Sequence, residues 1–340
     1  MPALPPVPGR ATGLGSWPGA DVLDAARTTF GELGEPPHIP YLPELPDRGP
    51  GSDIVGRGAA LLVDLPVDLQ PSGWRLVDHP GRDLGRSQAW LRQDLDVLAE
   101  AADGYEGPLK VQVTGPWTLA ASLWLPRLER AVVDPGACRD LVASLAEGVA
   151  QHVAEVRRLV PGAEVVVQVD EPSLPAVLTG ALPTASGFGR LRAVEEPLVV
   201  DGVTQVLDAA DKAGAAGTAV HCCAPRAPIG LLRRTGAGAL SLDVSQLGPP
   251  GWESVAVAVE DGVALWAGAV PTSGAAPGAT AVADAVWQPW RRLGLDVGLL
   301  AGVVVTPACG LAASSPAGAR AVLTAFREGE AALAERAADG

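Results

Sequence analysis

Short apolar runs closed by turn residues recur along the chain and alternate with longer stretches of helical periodicity. Eight runs read as strands: residues 13–17, 59–65, 110–115, 165–170, 217–222, 239–244, 263–270 and 303–306. Most are apolar at successive positions, the pattern of strands buried on both faces of a parallel sheet. The clearest helical periods fall at residues 21–33, 87–102, 136–160, 203–213 and 317–337, between or after those strands. Eight strand–helix units predict an α/β protein of the (β/α)8 TIM-barrel class, with an open doubly wound sheet as the alternative. No break in the alternation divides the chain, so residues 1–340 are read as one domain. Residues 34–57 are rich in Pro, Gly and charge and too long for an ordinary connection, which marks them as an active-site loop or lid.

Composition narrows the partners. A formal net charge of −14, with 25 Lys+Arg against 39 Asp+Glu, excludes the clustered cations that nucleic acid and anionic membranes require. No apolar run approaches the roughly 18 residues of a membrane span. Residues 1–10 are Pro-rich and lack the form of a secretory leader, which points to a cytoplasmic protein with reduced thiols. Four cysteines, two of them adjacent, do not make a disulfide framework and leave metal binding or catalysis open.

In a barrel the chemistry sits at the carboxyl ends of the strands. There the sequence places Asp170-Glu171-Pro172, His221-Cys222-Cys223, Asp243 and Cys309-Gly310. Strand alternation turns His221 and Cys223 to one side and Cys222 to the other. With Cys309 they form one nitrogen and two sulfur donors, a soft set suited to Zn2+ with a position to spare. Zinc holds an incoming thiol as the nucleophilic thiolate. Asp170 and Glu171 offer carboxylates for a substrate ammonium, or equally caps for a following helix. The plain alternative is that the His and Cys residues are ordinary core, since free Cys is among the most buried residue types.

These residues resemble the catalytic barrel of the cobalamin-independent methionine synthases. Gly15-Ser16-Trp17-Pro18 is similar to that family's opening turn, and Thr114-Gly115-Pro116-x-Thr118 to its third-strand motif. Gln168-Val169-Asp170-Glu171-Pro172 resembles its substrate-amine motif, and His221-x-Cys223 with Cys309-Gly310 its zinc ligands. The resemblance implies methyl transfer to the sulfur of homocysteine, with Zn2+ on His221, Cys223, Cys309 and a fourth ligand. Where the family carries Glu for that ligand, this sequence has Asp243. It further implies Asp170 as the catalytic-site carboxylate holding the amine, with Ser16, Trp17 and Glu171 around the substrate. Glu44 is the nearest match to a second amine-binding carboxylate, with Asp47 and Asp53 as rivals.

The family's folate-dependent members have a His after the seventh strand, whereas residues 267–274 contain none. The chain also opens directly on the catalytic motif. The methyl donor is therefore expected to be either methyl-tetrahydrofolate or another carrier, such as a methylated corrinoid protein. Three other readings stay open: a related enzyme on another thiol such as coenzyme M, a uroporphyrinogen decarboxylase-like enzyme, and a non-catalytic zinc-binding protein.

Overall fold

The computed structural model describes residues 4–126 and 129–339. In chain order its elements are β1 (Arg10–Ala11), α1 (Val22–Leu33), α2 (Ile54–Ala60), β2 (Val67–Gln70), β3 (Gly73–Leu76), α3 (Arg82–Ala101), β4 (Gly107–Thr114), α4 (Pro116–Ser122), α5 (Pro135–Leu159) and β5 (Ala163–Asp170). Then come α6 (Leu174–Thr179), α7 (Glu196–Lys212), β6 (Gly217–Cys222), α8 (Ile229–Arg234), β7 (Ala239–Asp243), α9 (Pro249–Glu260), β8 (Ala264–Val270), α10 (Ala279–Leu293), β9 (Val304–Pro307) and α11 (Pro316–Asp339). Seven strands form one parallel sheet in the order β1-β9-β8-β7-β6-β5-β4.

The gap between β4 and β1 is filled by residues 39–44. Ile39 N donates to Ala11 O at 3.0 Å and Glu44 N to Gly15 O at 3.0 Å, while Trp17 N donates to Glu44 O at 2.7 Å. On the other edge Leu42 N donates to Lys110 O and Lys110 N to Pro40 O, both at 2.9 Å. This parallel-bridged stave closes the ring, so the fold is the expected (β/α)8 barrel.

The two earliest strands lie elsewhere than the sequence suggested. Regular pairing at the first position is confined to Arg10–Ala11, and residues 13–17 cross the mouth as irregular backbone. The second stave lies inside the stretch expected as a lid. The run at residues 59–65 is instead the last turn of α2 and the irregular backbone after it. Asp53 caps α2 by accepting from Val55 N and Gly56 N, and Gly58 lets the helix lie against Thr114, where a Cβ would stand 2.7 Å from that side chain. The antiparallel hairpin β2–β3 is additional to the eight units.

Register sorts the side chains. Asp170 pairs with His221, His221 with Ser241, Gln168 with Gln112 and Ala219, and Trp266 with Val304. These share one parity and face the lumen; Val167, Val169, Val220, Cys222, Leu240 and Leu242 have the other and join the main core under the helices. The lumen has an apolar floor of Val166, Ala219, Ala239, Trp266 and Val304. Above it lie Lys110, Gln112 and Gln168, and then Asp170, His221 and Ser241 at the mouth. The reactive side chains thus stand on a closed, packed base.

At the opposite end, buried Glu330 of α11 accepts from Gly9 N at 3.1 Å through one oxygen, and its other oxygen has no partner. Burial pushes its carboxyl up to about 8, only partly opposed by the Gly9 hydrogen bond. A folded-state value above the unfolded one stabilises fully below the unfolded value near 4.5, and that stability is lost as pH rises toward 8. Glu330→Gln is therefore expected to raise Tm by about 5 °C at pH 8 and by under about 2 °C at pH 4, read by calorimetry at both pH values. Equal shifts at the two would contradict the assignment.

Candidate active site

β6 presents His221 and the residue after next, Cys223, to the mouth, and the turn beyond β9 brings Cys309 to meet them. Donor atoms of these three residues all lie within 4.8 Å of one another, and the two sulfurs are 2.9 Å apart. His221 is buried, with Nδ1 3.0 Å from Ser241 Oγ and 3.2 Å from Ser241 O. Donation from Nδ1 to that carbonyl fixes the ring and leaves Nε2 for the sulfurs, the arrangement that orients a metal-ligating imidazole. Hydrogen bonds from Cys223 and then His221 hold the Cys309 thiol well below the usual thiol range, while the same contact and burial push Cys223 up. Cys222, one residue away, is sealed in the core, where burial pushes its thiol up to about 12. The three donors fit a soft divalent ion such as zinc.

Beside them, at the end of β5, stands Asp170. Its Oδ1 accepts from Gln168 Nε2 at 2.7 Å, and burial pushes the carboxyl up to about 7, with His221 the strongest opposing charge. Glu44 reaches the site from the 39–44 stave and pairs through Oε1 with Arg57 Nε at 2.9 Å. Arg57 and Arg48 share both oxygens of fully buried Asp94. Lys110, wholly buried, donates to Gln112 Oε1 at 3.0 Å and lies 5.2 Å from the Tyr41 ring centroid. Burial pushes it down to about 8 against the fields of Asp170 and Glu44.

Backbone closeness holds the mouth together. Gly15 has φ +127°, and a Cβ there would meet the Gln112 amide carbon at 2.6 Å. Ser16 O accepts from Leu311 N at 3.0 Å and Ser16 Oγ from Ala312 N at 3.3 Å, which pins the turn carrying Cys309.

The family described as "Cobalamin-independent synthase, Catalytic domain" matches residues 10–332. The chain belongs to this family. A methyltransferase from Methanosarcina mazei aligns at TM-score 0.55 and 15% identity, over 90% of this chain and 84% of that one. A B12-independent methionine synthase from Shewanella sp. W3-18-1, in complex with selenomethionine, aligns at TM-score 0.51 and 16% identity, over 73% of this chain and 67% of that one. At such identities these structures speak for the fold. No curated protein sequence matches the chain. Family membership makes the chain a methyltransferase of the cobalamin-independent synthase type.

Within this synthase framework some expected residues converge and others do not. His221, Cys223, Cys309, Asp170, Glu44 and Ser16 gather at the mouth. Asp47 binds Gly19 N at 2.8 Å and Asp53 caps α2, which leaves Glu44 as the one of the three whose charge acts on Asp170 and Lys110. Asp243 does not join the donor cluster: its Oδ1 accepts from Ser245 N at 2.9 Å and Ser245 Oγ at 2.6 Å, capping the turn after β7. Trp17 is packed in the main core and offers no face to a ligand. Glu171 is fully buried and faces α4, where it accepts from Trp117 N and Thr118 N at 2.8 Å and Thr118 Oγ1 at 2.7 Å. It caps α4, which precedes it in the chain, and not the following helix that the sequence offered as the alternative. Gln112, Lys110 and Ser241 were missed and Gln168 was quoted within its motif without a role, although counting back in twos from Asp170, Thr114 and Asp243 finds each of them.

No helix among the described residues is long and apolar enough to cross a membrane. Removing the Glu171 carboxylate orphans three buried donors, so Glu171→Ala is expected to cost about 2–4 kcal/mol in urea denaturation. A substrate contact would instead show as a raised KM at unchanged stability.

Proposed function

We propose that the chain transfers a methyl group to the sulfur of homocysteine, giving methionine. The observation that carries this reading is the juxtaposition, at one barrel mouth, of a His-Cys-Cys donor set with two carboxylates. The donor set suits a thiol bound through zinc, and the carboxylates suit an amino-acid ammonium. Zinc, when bound, supplies a Lewis acid that favours the thiolate of an incoming thiol. His221, Cys223 and Cys309 would hold it, leaving a position for the substrate sulfur. Asp243 is committed to Ser245, which favours a site with three protein ligands.

The protein's own groups then do the rest. Asp170 and Glu44 fix the ammonium end of the substrate, and Ser16 holds the Cys309 turn in place. With both ends held, the sulfur faces the mouth, where a second substrate enters, and orientation provides much of the catalysis. Residues 267–274, which follow the middle of β8, contain no titratable side chain. Nothing there can protonate a departing amine, which favours a methyl carrier whose leaving group needs no proton, such as a corrinoid, over methyl-tetrahydrofolate.

Among the alternatives, the amine-facing carboxylates argue against coenzyme M, and the metal-type donor cluster against a decarboxylase. Cys223→Ser and Cys309→Ser are each expected to lose stoichiometric zinc and at least about a hundredfold in methyl transfer to homocysteine, whereas Cys222→Ser keeps both. Metal analysis alongside an activity assay with each donor decides this. Equal loss in all three variants, or transfer that survives without zinc, would overturn the reading.

A further inference from the structure

Gln168 is fully buried on β5, two residues before Asp170 and on the same inward face. Its amide nitrogen is used twice, donating to Asp170 Oδ1 at 2.7 Å and to Leu14 O at 3.0 Å. Both partners are acceptors, so the amide can face only one way; reversed, its oxygen would oppose two others. That leaves Gln168 Oε1 buried with no partner.

Orphaned buried acceptors are few in native proteins, because each gives up its hydrogen bond to water without a replacement. Neither neighbouring strand relieves this one. Gln112, its register partner on β4, directs its amide nitrogen to Leu42 O at 2.7 Å and accepts from Lys110 Nζ through its oxygen, and neither group reaches Gln168 Oε1. Ala219, its partner on β6, offers only a methyl group. The result is an unfilled acceptor immediately below the carboxylate assigned to the substrate's amine.

We propose that Gln168 is a specificity-determining residue: its Oε1 accepts one N–H of the substrate ammonium, so that with Asp170 and Glu44 a primary ammonium finds an acceptor for each of its three N–H groups. This rests on the homocysteine reading and adds to it a selection for a free primary α-amine. A thiol without the amine leaves all three acceptors unfilled, and an N-methylated amine loses one N–H and adds bulk in a closed space.

The test compares zinc-loaded wild type and Gln168→Met on homocysteine, N-methylhomocysteine and 4-mercaptobutanoate, the last being homocysteine without its amine. In the wild type N-methylation should raise KM about tenfold or more. In Gln168→Met the KM for homocysteine should rise about tenfold, N-methylation should add little further, and the KM for 4-mercaptobutanoate, kcat and zinc content should stay near wild type. Wild-type indifference to N-methylation would overturn the proposal, and this comparison needs no variant. So would a variant in which all three thiols weaken together or kcat and zinc fall. Wild type that prefers 4-mercaptobutanoate to homocysteine would instead sink the homocysteine reading on which the proposal stands.

Discussion

In a closed parallel barrel the side chains of each strand alternate between lumen and helices, and the register of neighbouring strands decides which of them share a level. Everything at this site depends on that constraint. Thr114, Asp170, His221 and Ser241 are successive register partners across β4 to β7 and so share one level. Cys223 comes after His221 on the inward face, while Cys222 between them belongs to the core. A slip of one residue in β6 would exchange the thiols and send the imidazole into the helical layer. The 39–44 stave matters for the same reason, because its bonds to both edges hold the ring shut and deliver Glu44 to the mouth.

A polar layer in a closed lumen is costly unless its charges and donors are matched. Here they are matched locally. Glu44 pairs with Arg57, and Asp94 takes both Arg57 and Arg48, so two buried and two partly buried charges cancel behind the pocket. Lys110 sits below Asp170 and Glu44, its ammonium directed to Gln112 and the Tyr41 ring. The acidic balance of the chain is therefore a property of its surface, and the site is nearly neutral within. The orphaned oxygen of Gln168 is an exception to that matching and stands next to the reacting end of the lumen.

The later strands were legible in the sequence because each is a short, mostly apolar run between clear turns; Gly217–Cys222 was read to the residue. The first two were not, since the chain there pairs through only a few bridges, and Pro40 and Pro43 disguise a stave as a loop. Residues 59–65 misled for the opposite reason: small apolar residues that suit a strand also suit a short helix pressed against β4. Alternation paired His221 with Cys223, and Cys309 joined them from its place at another strand end and from the family resemblance. The roles of Glu171 and Asp243 were not legible, because a carboxylate at a strand end has the same signature whether it faces a ligand, caps the next turn as Asp243 does, or caps a helix after the neighbouring strand as Glu171 does, and only hydrogen-bond partners distinguish these.

The central claim is that His221, Cys223 and Cys309 form a zinc site that takes the substrate thiol. Zinc-edge X-ray absorption on the purified protein, with and without homocysteine, tests it most directly. The account predicts zinc with one nitrogen and two sulfurs from these residues, and a third sulfur when homocysteine is added. Absence of zinc, or a shell that does not change with any thiol offered, would contradict it.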